Sequence, residues 1–436
     1  MNRNYILKGD IVYSLNRTTL RECPDSYLVC ADGKSAGVYR SPDDIPEAYQ
    51  KFPVEDFSGH LIVPGLYDLH IHAPQYQFRG LWMDVELLDW LNLHAFPNEA
   101  KYEELAFAQK AYRMFTNDMR KGATARFSAF ATLHTDATLL LADLIEESGL
   151  CAYIGKVNMD RNSPSYLCET TEESARETRR YLETLLKKGV SHVRPILTPR
   201  FIPSCTDDLM RELGKIIAQS AAAADSGILP LQSHLSENKS EIEWVSALCP
   251  WSAFYGDAYD KAGCFGGTGS PTIMAHCVWS GKQERELMKR NGVYIAHCPS
   301  SNMNVSSGIA PVRAYLEEGQ RVGLGTDVAG GSSGCMFRAV TDAIQVSKLY
   351  WRLVDQSAKQ LTFPEAFFLA TVSGGSFFGR CGSFEPGFAF DALVLDESQI
   401  RTPLEELAPA ERLERFAYLA GDRDILHKAV DGEMLF

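Results

Sequence analysis

The chain has 436 residues, 45% of them hydrophobic and 23% charged, an ordinary globular balance with ample apolar material for a core. Its 43 Lys and Arg against 56 Asp and Glu leave a formal charge of −13, a surface that repels phosphate backbones and anionic membranes. Neither a nucleic acid nor a membrane is therefore an expected partner, and collagen-like, disordered and disulfide-scaffold classes are excluded.

Residues 1–63 read as short strands: YILKGDIVYSL, then SYLVCADGKSAGVYR, whose Asp-Gly predicts a tight hairpin. The middle alternates strand and helix. Apolar runs ending in polar residues predict strands over 61–72, 123–131, 151–160, 192–201, 228–237, 272–278, 293–302 and 321–331. Helical patterns lie between most of them, over 136–148, 173–188, 205–224 and 280–290. The tail returns to strand texture in FEPGFAFDALVLDE and HKAVDGEMLF. Eight strands with helical crossovers predict an α/β fold, a (β/α)8 TIM-like barrel over 64–383. The two β-rich ends, 1–63 and 384–436, are expected to pair into one small β-sandwich domain.

No apolar run approaches the ~20 residues of a membrane span, and the first residues lack a signal-peptide hydrophobic region. The 11 cysteines are scattered, with no CxxC pair, and read as free thiols in a reducing cytosol. A cytoplasmic protein is expected.

Only 10 histidines occur, yet His70, His72, His234, His276 and His297 all fall at the ends of predicted strands, as do Glu237 and Asp327. In a barrel those carboxyl ends converge on the face where active sites are built. The period of two in His70-x-His72 points both imidazoles the same way. With His234 and Asp327 they make a nitrogen/oxygen set suited to zinc or ferrous iron, with room for a water. Each signal has a plainer reading: His234 and Glu237 also suit a helix-start cap, and Asp327 an N-cap. Four coincidences at strand ends favour the metal site. Gly330-Gly331-Ser332-Ser333-Gly334 satisfies the G-x-S-x-G string, but it follows the wrong kind of strand end and reads as a flexible loop. There is no Walker A string, no G-x-G-x-x-G after a strand, and no H-x-E…P-C-x-x-C signature.

The order PGLYDLHIH, SHLSE, AHCV, AHCPSSN and GLGTDVAGG resembles the amidohydrolase superfamily, in its metal-dependent nucleobase-deaminase branch. More narrowly, HIHAPQYQFRG, LLDWLNLHAFPNE, LTPRF, SHLSENKSEIEWV and AHCPSSNMNVSSG are similar to hallmark segments of the guanine deaminases, and the likeness runs from about residue 5 to the C-terminus. The resemblance implies His70, His72, His234 and Asp327 as metal ligands, for one zinc per subunit or alternatively ferrous iron. It implies Glu237 as proton shuttle, His276 as the group contacting water and the reacting carbon's substituents, and Asp327 as acceptor of the water's proton. Gln75, Arg200 and Phe201 match the residues that hold guanine, which would also contact His72, His234, Glu237, His276 and Asp327. Arg200 would meet an acceptor on the purine edge, Gln75 the amide edge, and Phe201 the ring face. His297 would act structurally near the eighth-strand loop.

Cys277 departs from the family, where glycine often follows the histidine. The fourth strand ends without the modified lysine of two-metal relatives, and Lys156 is expected to be structural. The implied reaction turns guanine and water into xanthine and ammonia, in a homodimer. Two alternatives stand beside it: a sibling acting on a triazine, pyrimidine, pterin or adenine-type amine, and a non-catalytic scaffold of the same fold.

Overall fold

The computed structural model describes residues 3–222, 228–267, 270–404 and 406–436. The fold is α/β: a (β/α)8-type barrel with a small β-sandwich built from both ends of the chain. The barrel strands, in order, are Leu66–His72, Thr124–Phe130, Cys151–Gly155, Val193–Pro195, Leu231–Leu235, Thr272–His276, Tyr294–His297 and Arg321–Leu324. Neighbours pair in parallel within the first four and within the last four. Backbone bonds close the ring at both seams. Leu197 bridges Leu231, and the Asp327 and His72 amides donate to the His70 and Val328 carbonyls at 2.8 and 3.1 Å.

The third and fourth strands are interrupted. Each resumes as a two-residue piece, Val157–Asn158 and Thr198–Pro199, paired in parallel. Pro195 and Pro199 bring no N–H to a ladder, which keeps the fourth strand short. The expected helices are present as Thr135–Ser148, Thr171–Lys188, Asp207–Ala222 and Lys282–Asn291. Positions 223–224 of the third fall outside the described residues. Helix Leu105–Lys121 carries Ala108, Tyr112, Phe115 and Met119 on one buried face at helical spacing. Phe115 meets Phe127 of the second strand edge-to-face, with ring centroids 5.7 Å apart.

The strand expected over 61–72 is two strands. Val54–Pro64 belongs to the terminal sheet and Leu66–His72 to the barrel. Gly65 is the divide: its amide donates to Asp391, while the next amide, of Leu66, donates to Ala123. A Cβ at Gly65 would stand 2.5 Å from that of Ala125, so a side chain there would force the two layers apart.

Seven strands form the terminal sheet, with Tyr5–Asn16, Thr19–Ala31, Lys34–Tyr39 and Val54–Pro64 joined to Ala392–Leu395, Ile425–Val430 and Glu433–Met434. The hairpin at Asp32-Gly33 has φ of +50° and +76°, the left-handed pair that a two-residue turn requires. Lys428 ties this sheet to the barrel. It is fully buried, and its Nζ donates to the carbonyls of Met119, Gly122 and Thr124 at 2.9, 2.9 and 2.6 Å. Met119 and Gly122 stand at the end of a helix, where carbonyls lack intrahelical partners and the dipole favours a cation. Lys428→Met keeps the stem and strands three buried acceptors, so unfolding free energy should fall by about 2–4 kcal/mol in a denaturant titration. An unchanged midpoint would show that the clasp contributes nothing.

Candidate active site

The barrel's carboxyl end gathers the reactive residues. His70 and His72 come from the first strand, His234 from the fifth, His276 from the end of the sixth, and Asp327 from just past the eighth. The backbone turns sharply there: Ser236, His276, Cys277 and Asp327 all adopt positive φ, between +48° and +71°. Such conformations are sparsely populated by side-chain-bearing residues and are held only where the surroundings fix them. Cys277 stands in one, at +50°, with its thiol buried. That is a backbone state glycine adopts without strain.

Asp327 Oδ1 lies 3.1 Å from His70 Nε2 and 3.4 Å from His72 Nε2, and its Oδ2 lies 3.7 Å from His276 Nε2. The Nε2 atoms of His72 and His234 are 3.2 Å apart. Ligand atoms of His70, His72 and Asp327 lie within 4.8 Å of one another, as do those of His70, His234 and His276, and of His276, Cys298 and Asp327. His234 is oriented by its Nδ1, 2.6 Å from the Arg200 carbonyl, so its Nε2 faces inward. Among the described residues neither ring nitrogen of the buried His70 has a hydrogen bond of good geometry, although Asp327 Oδ1 stands 3.1 Å from Nε2. With Nδ1–H given to the Arg200 carbonyl, His234 turns the lone pair of Nε2 toward His72 Nε2, and lone pairs converging in this way repel unless a proton or a cation lies among them. The donor set fits a divalent ion with nitrogen and oxygen preference.

Burial lowers the pKa of His70, and those of His72 and His234 well below the ordinary histidine value, keeping the imidazoles neutral as ligands must be. His276 goes the other way: burial opposes its charge, but Glu237 and Asp327 together raise its pKa. Asp327 is held below the carboxylate range; the facing histidines, His70 first, outweigh its burial. Burial pushes the Glu237 carboxyl up to about 7, with His276 opposing.

Glu237 faces the cluster, its Oε2 3.3 Å from His276 Nε2, while its Oε1 accepts from the Ser307 hydroxyl at 2.8 Å. Glu241 accepts the Glu237 amide at 3.0 Å and the Tyr255 hydroxyl at 2.7 Å, which fixes the turn out of the fifth strand. His276 Nδ1 lies 2.9 Å from Asn302 Oδ1. A small cavity opens beside the cluster. Leu87, Trp90, Leu91, Phe201 and Val305 form its apolar wall, and Gln75, Arg200, His72, His234, Glu237, His276 and Asp327 supply its polar groups.

All the residues singled out in the sequence for metal, proton or base thus line this cavity, except His70, which belongs to the cluster but not to the lining. Sequence reasoning missed Glu99, Ser307 and Asn302. Glu99 is buried behind the cavity wall, where it accepts two bonds from Arg200, at 2.6 and 2.9 Å, and one from Gln75, at 2.7 Å. All three lie inside segments already picked out, LLDWLNLHAFPNE and AHCPSSNMNVSSG, but no local period says which of their side chains turns inward.

A family model described as the amidohydrolase family matches residues 61–435. The chain belongs to the amidohydrolase family. This amidohydrolase is 39% identical to the guanine deaminase of Rattus norvegicus, over 99% of its own length and 96% of that protein's. It is 31% identical to the guanine deaminase of Escherichia coli (strain K12), over 96% and 93% of the two chains. A crystal structure of guanine deaminase from C. acetobutylicum, with guanine bound in the active site, superposes with a TM-score of 0.93. The two are 44% identical, over 99% of this chain and 100% of that one.

Two further residues of the amidohydrolase, Lys156 and His297, are not among those that line the cavity. Lys156 Nζ is 2.7 Å from Glu169 Oε2 and donates to the Val157 carbonyl at 3.1 Å, so its amine is committed away from the cluster. His297 is buried at the end of the seventh strand, where its backbone carbonyl accepts the Gly325 amide at 2.9 Å and, among the described residues, neither ring nitrogen has a hydrogen-bond partner. The segment at 330–334 is held rather than loose. Gly331 donates to Asp327 at 2.6 Å, and Asn304 Nδ2 donates to Gly330 at 2.8 Å.

Proposed function

We propose that this amidohydrolase hydrolyses guanine to xanthine and ammonia, with one zinc ion per subunit. The observation that carries the reading is a buried arginine and glutamine lining the same cavity as the histidine–carboxylate cluster. The relatives named guanine deaminase, at 31% and 39% identity over nearly the whole chain, support the same substrate.

His70, His72, His234 and Asp327 would hold the ion, which supplies Lewis acidity and brings the pKa of a water near ~7. Asp327, held as a carboxylate, would serve as the acceptor for a proton from the attacking water. Glu237 keeps Oε1 bonded to Ser307, which leaves Oε2 to carry a proton to the ring nitrogen beside the attacked carbon. Having given up that proton, Glu237 would take the one on the hydroxyl added to the carbon, while Asp327 passes the water's proton to the departing amine, so both groups end as they began. His276, raised in pKa and braced through Asn302, presents Nε2 as a donor to charge developing on oxygen.

Arg200 offers donors to the carbonyl of a 6-oxo purine. Adenine sets an amino donor against it, and sites built on such matching reject the wrong partner by up to ~10⁴–10⁵. Arg200→Ala should lower kcat/KM for guanine by about 10- to 100-fold with the metal retained; an unaltered value would remove Arg200 from the base site.

Zinc rather than ferrous iron is our choice from the three-imidazole, one-carboxylate set. A homodimer rests on the family resemblance, and a cytosolic setting is supported by 11 free cysteines. We assign 1–63 with 384–436 to the small domain and 64–383 to the barrel. The test is incubation with guanine while following ammonia and xanthine, before and after removal of metal by a chelator. Xanthine should form, cease after chelation and return on adding zinc. Inert guanine alongside turnover of another aminated heterocycle would overturn the substrate, and chelator-resistant turnover would overturn the metal.

A further inference from the structure

The cavity's arginine is not free. Arg200 and Glu99 form a bidentate ion pair with side-chain exposures of only 3% and 2%, Nη1 to Oε2 at 2.6 Å and Nη2 to Oε1 at 2.9 Å. Glu99 Oε1 also accepts from Gln75 Nε2 at 2.7 Å, and Gln75 Oε1 in turn accepts the Ala329 amide at 3.1 Å. The Phe96 ring, one helical turn before Glu99, lies 5.0 Å from the guanidinium. Glu99 itself does not line the cavity. It touches both groups that do.

We propose that Glu99 is the positioning and charge-compensating residue of the base pocket, holding Arg200 and Gln75 in register and cancelling the arginine's charge so that a neutral purine is preferred over an anionic one. The inference rests on the guanine reading above.

Two physical arguments support it. A carboxylate only accepts and a backbone amide only donates, so Gln75, caught between Glu99 and Ala329, has one permitted amide orientation. A flip would set oxygen against oxygen and N–H against N–H. One N–H and one lone pair of Gln75 then remain for the base edge, in fixed places. Arg200 likewise spends two of its N–H groups on Glu99 and itself lines the cavity, where its other N–H groups are uncommitted to Glu99. Bidentate pairing fixes the plane of the guanidinium as well as its position.

The second argument is charge. A buried guanidinium without a counter-ion attracts any anion that fits. Guanine is neutral near neutral pH, whereas xanthine, with ring N–H groups flanked by carbonyls, ionises more readily. An uncompensated Arg200 would hold the product as its anion. With Glu99 in place the pair is neutral, and xanthine leaves.

The experiment compares the zinc-loaded parent with Glu99→Gln and Glu99→Asp. It measures metal content, guanine kcat and KM, and product inhibition by xanthine from mildly acid to mildly alkaline pH. The other ionisable groups lining the cavity, His72, His234, Glu237, Glu241, His276 and Asp327, are common to all three proteins. Glu99→Gln should raise the guanine KM by about 10- to 100-fold, with a smaller change in kcat and full metal. Its xanthine inhibition constant, relative to KM, should fall by about tenfold or more as pH rises through the ionisation of xanthine. Glu99→Asp keeps the charge but withdraws it by one methylene, so KM should rise while the pH dependence of inhibition stays parental.

A purely structural glutamate would not move that pH dependence. Parental KM and parental inhibition in Glu99→Gln would overturn the proposal. Should that variant not fold, Glu99→Asp decides: a raised KM upholds the positioning role and a parental KM overturns it. A parent inert toward guanine is a different result, because it removes the substrate reading itself.

Discussion

Replacing Glu237 by glutamine should slow guanine deamination by ~10²–10⁴-fold while the protein keeps its metal. Glutamine has the shape of glutamate, and its carbonyl oxygen can still accept from Ser307, which lies 2.8 Å from Oε1. The backbone stays fixed as well, because the amide of residue 237 donates to Glu241. What disappears is a group that exchanges protons. Burial lifts the Glu237 carboxyl to about 7, near the value at which a shuttle both takes and gives a proton with little driving force. Its Oε2 lies 3.3 Å from His276 Nε2, on the cavity side of the cluster. Metal analysis and steady-state rates on the same preparation read the two effects separately. Metal lost together with the rate would make Glu237 a ligand. A near-parental rate with metal retained would leave the shuttle to another group.

Much of this arrangement was readable from the chain because it is local. A period of two sets His70 and His72 on one side of the first strand, and each remaining reactive residue stands at or just past a strand end. Glu99 is different. It reaches Arg200 across 101 positions, and nothing in the spacing of either residue announces the contact. The stretch leading to it is a broken series of turns, α over Leu87–Trp90, π over Leu91–Ala95, α again over Phe96–Glu99, with no steady apolar period to mark an inward face. Ser307 and Asn302 were hidden for the same reason, since their partners are distant in the chain: Glu237 just past the fifth strand and His276 at the end of the sixth. The divided first strand was hidden by uniform hydrophobicity: Leu61 to Leu66 are buried on both sides of Gly65, in two different sheets. Only the switch of partner between consecutive amides reveals the boundary.

His72→Ala should abolish both metal content and turnover, and here the cluster offers a sharper comparison than a single variant. His72 Nε2 stands 3.2 Å from His234 Nε2 and 3.4 Å from Asp327 Oδ1, so its removal opens one side of the proposed coordination. Changes to groups that merely orient ligands already lower metal affinity by ~10–100-fold, and deleting a ligand exceeds that. The ring also packs on Phe130, with centroids 4.6 Å apart, so the truncation leaves a void and a lower Tm. Thermal unfolding must therefore show a folded variant before its metal is counted. His276 is the control, because its ligand atom also lies within 4.8 Å of those of His70 and His234. The two histidines differ in charge preference: His72 is held neutral, while Glu237 and Asp327 raise His276. A raised imidazole is a poor ligand and a good donor, so His276→Ala should keep its metal and lose rate. Metal lost from His276→Ala but kept in His72→Ala would move the ion to the His70–His234–His276 trio and leave Asp327 free to act only as a base.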